Sequence, residues 1–172
     1  NIPGLAPLPQ TESDLDVGPT PKEMVYSNET ARLYHYLPTQ DEIYRVPVLI
    51  VMSPVAKGYI LDLAKGQSLI EYLVMQGHDV YMLEWAAPRR DQSHLSLDNY
   101  VNDLLGGCIE AVQRDSGETE VTLVGYCMGG MLSLMYTALN PTGAVRNLAC
   151  FTTPVNGDGM ELYKRWMTAK SF

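Results

Sequence analysis

Apolar and polar positions along this chain follow two periods. Short apolar runs occur at 46–53 (Val48-Leu49-Ile50-Val51-Met52), 80–83 (Val80-Tyr81-Met82-Leu83), 120–124 (around Val121 and Leu123) and 145–151. Such runs predict strands covered on both faces, as in a parallel sheet. Between them, apolar residues recur every three or four positions. Leu69, Ile70, Leu73 and Val74 predict one helical face, opened by a capping box (Ser68, then Glu71) and stopped at Gly77. Val101, Leu104, Leu105, Cys108, Ile109 and Val112 predict a longer amphipathic helix. It begins at Ser96, with Asp98 in its first turn, and ends at Asp115-Ser116-Gly117. Met131, Leu134, Met135 and Ala138 predict a third helix, closed by Asn140-Pro141. Met24 to Leu37 alternates instead and predicts one or two edge strands. Gly157 to Phe172 has the apolar content of a further helix. Alternating strands and helices predict an α/β fold, a mostly parallel sheet with helices on both faces.

Composition narrows the picture. The 172 residues suit one domain with a real core. Residues 1–21 carry five prolines and predict an extended N-terminal arm ahead of a core over 22–157. A formal net charge of -8 argues against non-specific nucleic-acid binding. No stretch reaches transmembrane length, and the first residues lack the pattern of a signal peptide. The three cysteines are widely and irregularly spaced, which predicts neither disulfides nor a zinc site and fits a reducing, cytoplasmic compartment. Cys108 lies on a core stripe and Cys150 inside an apolar run, so both are expected to be buried.

The chemistry concentrates at Gly125-Tyr126-Cys127-Met128-Gly129-Gly130, between a buried strand and a helix. That is the context of a nucleophile elbow of the G-x-S-x-G kind, with cysteine for serine. A nucleophile on so sharp a turn needs positive φ, and residues two positions either side must lack side chains. Gly125 and Gly129 meet that need, and Gly130 lets the helix approach the sheet closely. Cys127 would stand at the positive end of the helix dipole, where an anion is favoured. The Met128 amide would face a developing oxyanion, and the loop after the 46–53 strand would supply a second amide from Val55, since Pro54 has none. The alternative at Cys127 is a buried, inert thiol in a glycine-rich turn. Elsewhere, Asp62 reads as a loop-fixing residue, Arg89 and Arg90 as a solvated loop or a phosphate contact, and His35 as a sheet-face residue.

The box and its surroundings together resemble the poly(3-hydroxyalkanoate) synthases, enzymes of the α/β-hydrolase fold with a G-x-C-x-G-G box. Thr20-Pro21-Lys22-Glu23, Leu33-Tyr34-His35-Tyr36, Tyr59-Ile60-Leu61-Asp62-Leu63, Glu84-Trp85-Ala86-Ala87-Pro88 and Thr152-Thr153-Pro154-Val155 are similar to family segments. The short leader resembles the short-chain class that works with an accessory subunit. The resemblance implies attack by Cys127 on a (R)-3-hydroxyacyl-CoA, CoA release and polyester growth, with no cofactor beyond the CoA of the substrate and no metal. It further implies a homodimer at the surface of polymer granules, and a cap region starting over 158–172. The family's acid and histidine follow the box, whereas His35, His78 and His94 all precede Cys127. The chain therefore reads as the amino-terminal part of a synthase, incomplete on its C-terminal side, with acid and histidine expected beyond it. The alternatives are a cysteine-box thioesterase or esterase of the same fold, and a non-catalytic fragment or interaction domain.

Overall fold

The computed structural model describes residues 17–158. The helix expected after Gly157, nearly all of the cap start expected over 158–172, and most of the arm expected over 1–21 lie outside the described residues. The strands are β1 (Lys22–Asn28), β2 (Ala31–Tyr36), β3 (Val48–Val51), β4 (Asp62–Ala64), β5 (Gln67–Ser68), β6 (Val80–Trp85), β7 (Val121–Tyr126) and β8 (Val145–Phe151). The helices are α1 (Leu69–Met75), α2 (Gly106–Ser116) and α3 (Met128–Leu139). The main sheet has the order β1-β2-β6-β3-β7-β8, and β4 pairs only with β5. β6, β3, β7 and β8 run parallel, while β1 and β2 are antiparallel additions on the β6 side. Thus β1 is an edge strand and β2 an inner one.

The central strands bury both faces, as their unbroken apolar runs require. One face packs Leu49, Val51, Tyr81 and Leu83 against Leu104, Leu105, Cys108, Ile109 and Val112 of the long helix. The other packs Ile50, Met52, Val80 and Met82 against Ile70 and Val74 of α1. Each such Leu, Ile or Val contributes ~1.5–3 kcal/mol by leaving water.

Four local expectations are corrected. In the capping box, Ser68 Oγ accepts from the Glu71 amide at 2.9 Å, but Glu71 Oε2 accepts from Gly66 N at 2.6 Å rather than returning to Ser68. Leu69 is exposed, because α1 meets the sheet through Ile70, Leu73 and Val74. In α3 the buried positions are Gly129, Gly130, Leu132 and Ser133, not the Met131–Ala138 stripe, because the glycines lead the helix onto the sheet. Cys150 is exposed: β8 is the sheet's last strand among the described residues, and its outer side has no covering layer there. The long helix also opens with a π-helical segment, Asn99–Leu105, which a three-four spacing does not distinguish from an α-helix.

The described end of the N-terminal arm is clasped to the core. Asp62, fully buried, accepts from Thr20 N at 3.1 Å and Thr20 Oγ1 at 2.8 Å, and its carbonyl accepts from Gly18 N at 2.7 Å. Asp62 thus fixes the end of the arm to the core.

Candidate active site

Cys127 sits between the last residue of β7 and the first of α3, with φ 53° and ψ -121°. An L side chain rarely enters that region, which costs about 1–3 kcal/mol where the surroundings impose it. Here they do. The Cys127 amide donates to Phe151 O at 2.9 Å, tying the turn to β8, and Cys127 O accepts from Gly130 N at 3.0 Å. The three glycines are needed for space. A Cβ on Gly125 would lie 2.3 Å from Gly130 Cα, one on Gly129 would lie 2.0 Å from Val51 O, and one on Gly130 would lie 1.9 Å from Thr153 Oγ1. The turn is therefore wedged among β3, β7 and the segment after β8, and Cys127 is half-buried at the C-terminal edge of the parallel strands. That edge is where ligands bind in open α/β sheets.

Met128 opens α3, so its N–H belongs to the first-turn donors that no helical carbonyl can satisfy. Val55 lies in the loop leaving β3. Its side chain is 81% exposed, and its N–H makes only a long 3.4 Å contact to Ser53 Oγ. That loop leaves β3 where Gly129 abuts it: the Gly129 Cβ position is 2.0 Å from Val51 O and 2.7 Å from Met52 O. The elbow and the loop thus share one point of contact.

The other thiols differ. Burial pushes the Cys108 thiol up to about 12, so it is a core group. Cys150 is exposed on β8.

The three histidines are engaged elsewhere. His35 pairs in register with Tyr81 at the start of β6, about 13 Å from the strand's other end at ~3.3 Å per residue. Its Nε2 meets Asp79 Oδ1 at 2.8 Å, its Nδ1 meets Asp115 Oδ2 at 3.1 Å, and its ring stacks on Tyr81 at 4.1 Å. Burial acts to lower the His35 pKa. The Asp79 hydrogen bond and charge, with Asp115 and Glu23, outweigh it, and the net direction is up. His78 lies against the Tyr44 ring at 4.9 Å, and His94 Nδ1 contacts Asp91 O at 3.0 Å. Arg89 forks onto Asp91 at 3.2 Å and holds that carboxyl below its usual range, in keeping with a solvated loop.

Three features near the elbow are not read as site features from the sequence. Thr153 covers Gly130. Thr152, which is β-branched, has φ 49°, an outlier for its type. Trp85 Nε1 donates to Met52 O at 2.8 Å. Only the Thr-Thr-Pro punctuation after β8 hints at the first two.

Comparisons with known proteins bear on the fold and the family. The profile of the α/β hydrolase fold family matches residues 58–167, and that of the poly-beta-hydroxybutyrate polymerase (PhaC) N-terminus matches residues 11–73. The poly(3-hydroxyalkanoate) polymerase subunit PhaC of Haloferax mediterranei is 41% identical over 158 residues, which is 91% of this chain and 32% of the relative. Those of Synechocystis sp. and Allochromatium vinosum are each 38% identical, over 84% and 83% of this chain and 38% and 40% of theirs. The chain thus spans about a third of the length of these relatives. Among solved structures, a sugar hydrolase from Lactococcus lactis superposes with TM-score 0.59 at 17% identity, over 83% of this chain and 58% of that one. A probable hydrolytic enzyme from Pseudomonas aeruginosa superposes with TM-score 0.58 at 16% identity, over 88% and 46%. At these identities the structures speak to the fold alone. The chain belongs to the α/β-hydrolase fold family, and over most of its length it is similar to about a third of the length of the poly(3-hydroxyalkanoate) polymerase subunits PhaC.

Proposed function

We propose that this chain carries the nucleophile half of a polyhydroxyalkanoate synthase, an acyltransferase acting on (R)-3-hydroxyacyl-CoA. The observation that carries the reading is the backbone of Cys127: a side chain held at φ 53° on a strand-to-helix turn, in a chain 41% identical to a PhaC subunit. Strain of this kind persists where a side chain must be presented.

In the proposed reaction the Cys127 sulfur attacks the thioester carbonyl carbon. Negative charge gathers on the carbonyl oxygen, where the N–H groups of Met128 and Val55 receive it. The carbon–sulfur bond to CoA then breaks, CoA leaves as the thiol, and the hydroxyacyl group stays on Cys127 as a new thioester. The 3-hydroxyl of another unit attacks that thioester carbonyl, the bond to the Cys127 sulfur breaks, the free thiol is regenerated, and the polyester is one ester bond longer. The base that takes the Cys127 proton and later the hydroxyl proton is a histidine beyond this chain, oriented by an acid also beyond it. Pairing of two subunits, an accessory subunit and attachment to polymer granules belong to the same proposal. Among the described residues no helix is long and apolar enough to cross a membrane.

The test is brief exposure of the intact protein to (R)-3-hydroxybutyryl-CoA. A hydroxybutyryl group on the Cys127 peptide, CoA release and polymer are expected, with all three abolished by Cys127→Ala. Free hydroxy acid without polymer would make the protein a thioesterase. No adduct and no CoA release would end the enzyme reading.

A further inference from the structure

Trp85 closes β6 and is 7% exposed. The parallel ladder between β3 and β6 carries on past β3 to Met52 N, which donates to Leu83 O at 3.1 Å. The next acceptor in register, the Met52 carbonyl, takes the indole N–H of Trp85 at 2.8 Å. The indole is itself held from the side by the Tyr100 ring, 5.1 Å away and tilted by 46°. The same Met52 carbonyl backs onto the elbow, 2.7 Å from where a Cβ on Gly129 would stand. One peptide group therefore joins the root of the loop bearing Val55, the start of the helix bearing Cys127, and the indole.

We propose that Trp85 is a positioning residue for the oxyanion loop: its indole N–H fixes the Met52 carbonyl, and thereby where the Val55 amide stands relative to Cys127. This rests on the reading of Val55 and Met128 as the oxyanion donors. The hydrogen bonds within the Ser53–Ala56 turn are local, Ala56 N to Ser53 O at 3.0 Å and Val55 N to Ser53 Oγ at 3.4 Å. These shape the turn but do not fix it to the sheet. The buried indole bond is the anchor nearest the Val55 amide, and a buried donor–acceptor pair holds direction as well as energy. An oxyanion donor misplaced by a fraction of an ångström loses much of its effect on the transition state and little on substrate binding.

The experiment replaces Trp85 in the intact protein by benzothienylalanine, which keeps the ring's shape and its packing on Tyr100 but has no N–H. Trp85→Phe serves as a second variant. Hydrogen exchange of the 53–58 segment and steady-state CoA release are both read. In the donor-free variant the 53–58 amides should exchange about tenfold faster, the weight of one hydrogen bond. Amides of β3, β6 and β7 should keep their protection. The kcat should fall about tenfold with KM within about twofold, as for a loosened transition-state donor. Unchanged exchange at 53–58 overturns the proposal. So does faster exchange spread over the whole sheet, which marks a merely structural tryptophan, or a loosened loop with unchanged kcat. If the unmodified protein releases no CoA, the synthase reading falls by itself, and the exchange comparison still decides whether the indole fixes the loop.

Discussion

The Cα of Gly129 stands so close to the carbonyl oxygen of Val51 that a Cβ there would lie 2.0 Å from it. The first turn of α3 is thereby seated directly on the end of β3. Because the obstacle is backbone, no neighbouring rotamer can relieve it. Gly129→Ala should destabilise the fold by about 3 kcal/mol or more, at the upper end of overpacking effects, and displace the elbow. At Gly130 the obstacle is the Thr153 side chain, with its Oγ1 1.9 Å from the Cβ position. Gly130→Ala should therefore be rescued in large part by Thr153→Ala. Urea unfolding of the two single variants and the double variant checks this, and failure of the rescue would put the clash elsewhere.

The three thiols should separate under alkylation of the native protein. Cys108 is buried, with its thiol pushed up to about 12, and should label only after unfolding. Cys150 is exposed and should label at the rate of an ordinary accessible thiol. Cys127, as the proposed nucleophile, should label ahead of it. Peptide mass spectrometry over a time course reads all three. Equal rates at Cys127 and Cys150 would count against a nucleophilic role for Cys127.

Replacing the Val55 amide by an ester, with the α-hydroxy analogue of valine, removes the second proposed oxyanion N–H and keeps the side chain, whereas proline would disturb the Ser53–Ala56 turn. Removing one such donor from an acyl-transfer site lowers kcat by about 10²–10³. Turnover of the intact protein should fall by that order while the melting temperature holds. Unchanged turnover would exclude Val55 as a donor.

His35 should make stability fall as the medium turns alkaline. Its pKa is raised in the folded state above the ordinary 6.5: burial, the largest single effect, acts to lower it, but the Asp79 hydrogen bond and charge together with Asp115 and Glu23 outweigh it. Folding then binds the proton more tightly than the unfolded chain does. The stabilisation is full below about pH 6.5 and is lost as pH rises through the raised folded value. Melting temperatures from pH 5.5 to 9 should show this loss, and His35→Gln should remove that part of the pH dependence. Identical profiles would mean that the Asp79–His35–Asp115 cluster contributes nothing through its charge.

Much of this protein is determined by its sequence alone, because the signals are local. The apolar runs at Val48–Val51 and Val80–Leu83 are long enough to mark strands covered on both faces. The stripe from Val101 to Val112 marks a buried helical face. Glycines at 125, 129 and 130 around Cys127 mark a turn too tight for side chains. Each of these follows from backbone sterics or from the period of one element. The tertiary structure alone decides what depends on which strands are neighbours. It makes β8 the last strand of the sheet among the described residues, where Cys150 is exposed. It brings Asp79 and Asp115 to either side of His35. It carries Trp85 to the carbonyl of Met52, a residue 33 positions earlier. Strand order is set by the summed packing of the whole sheet, and no local period encodes it. Contacts made across that order become visible only when the chain is folded.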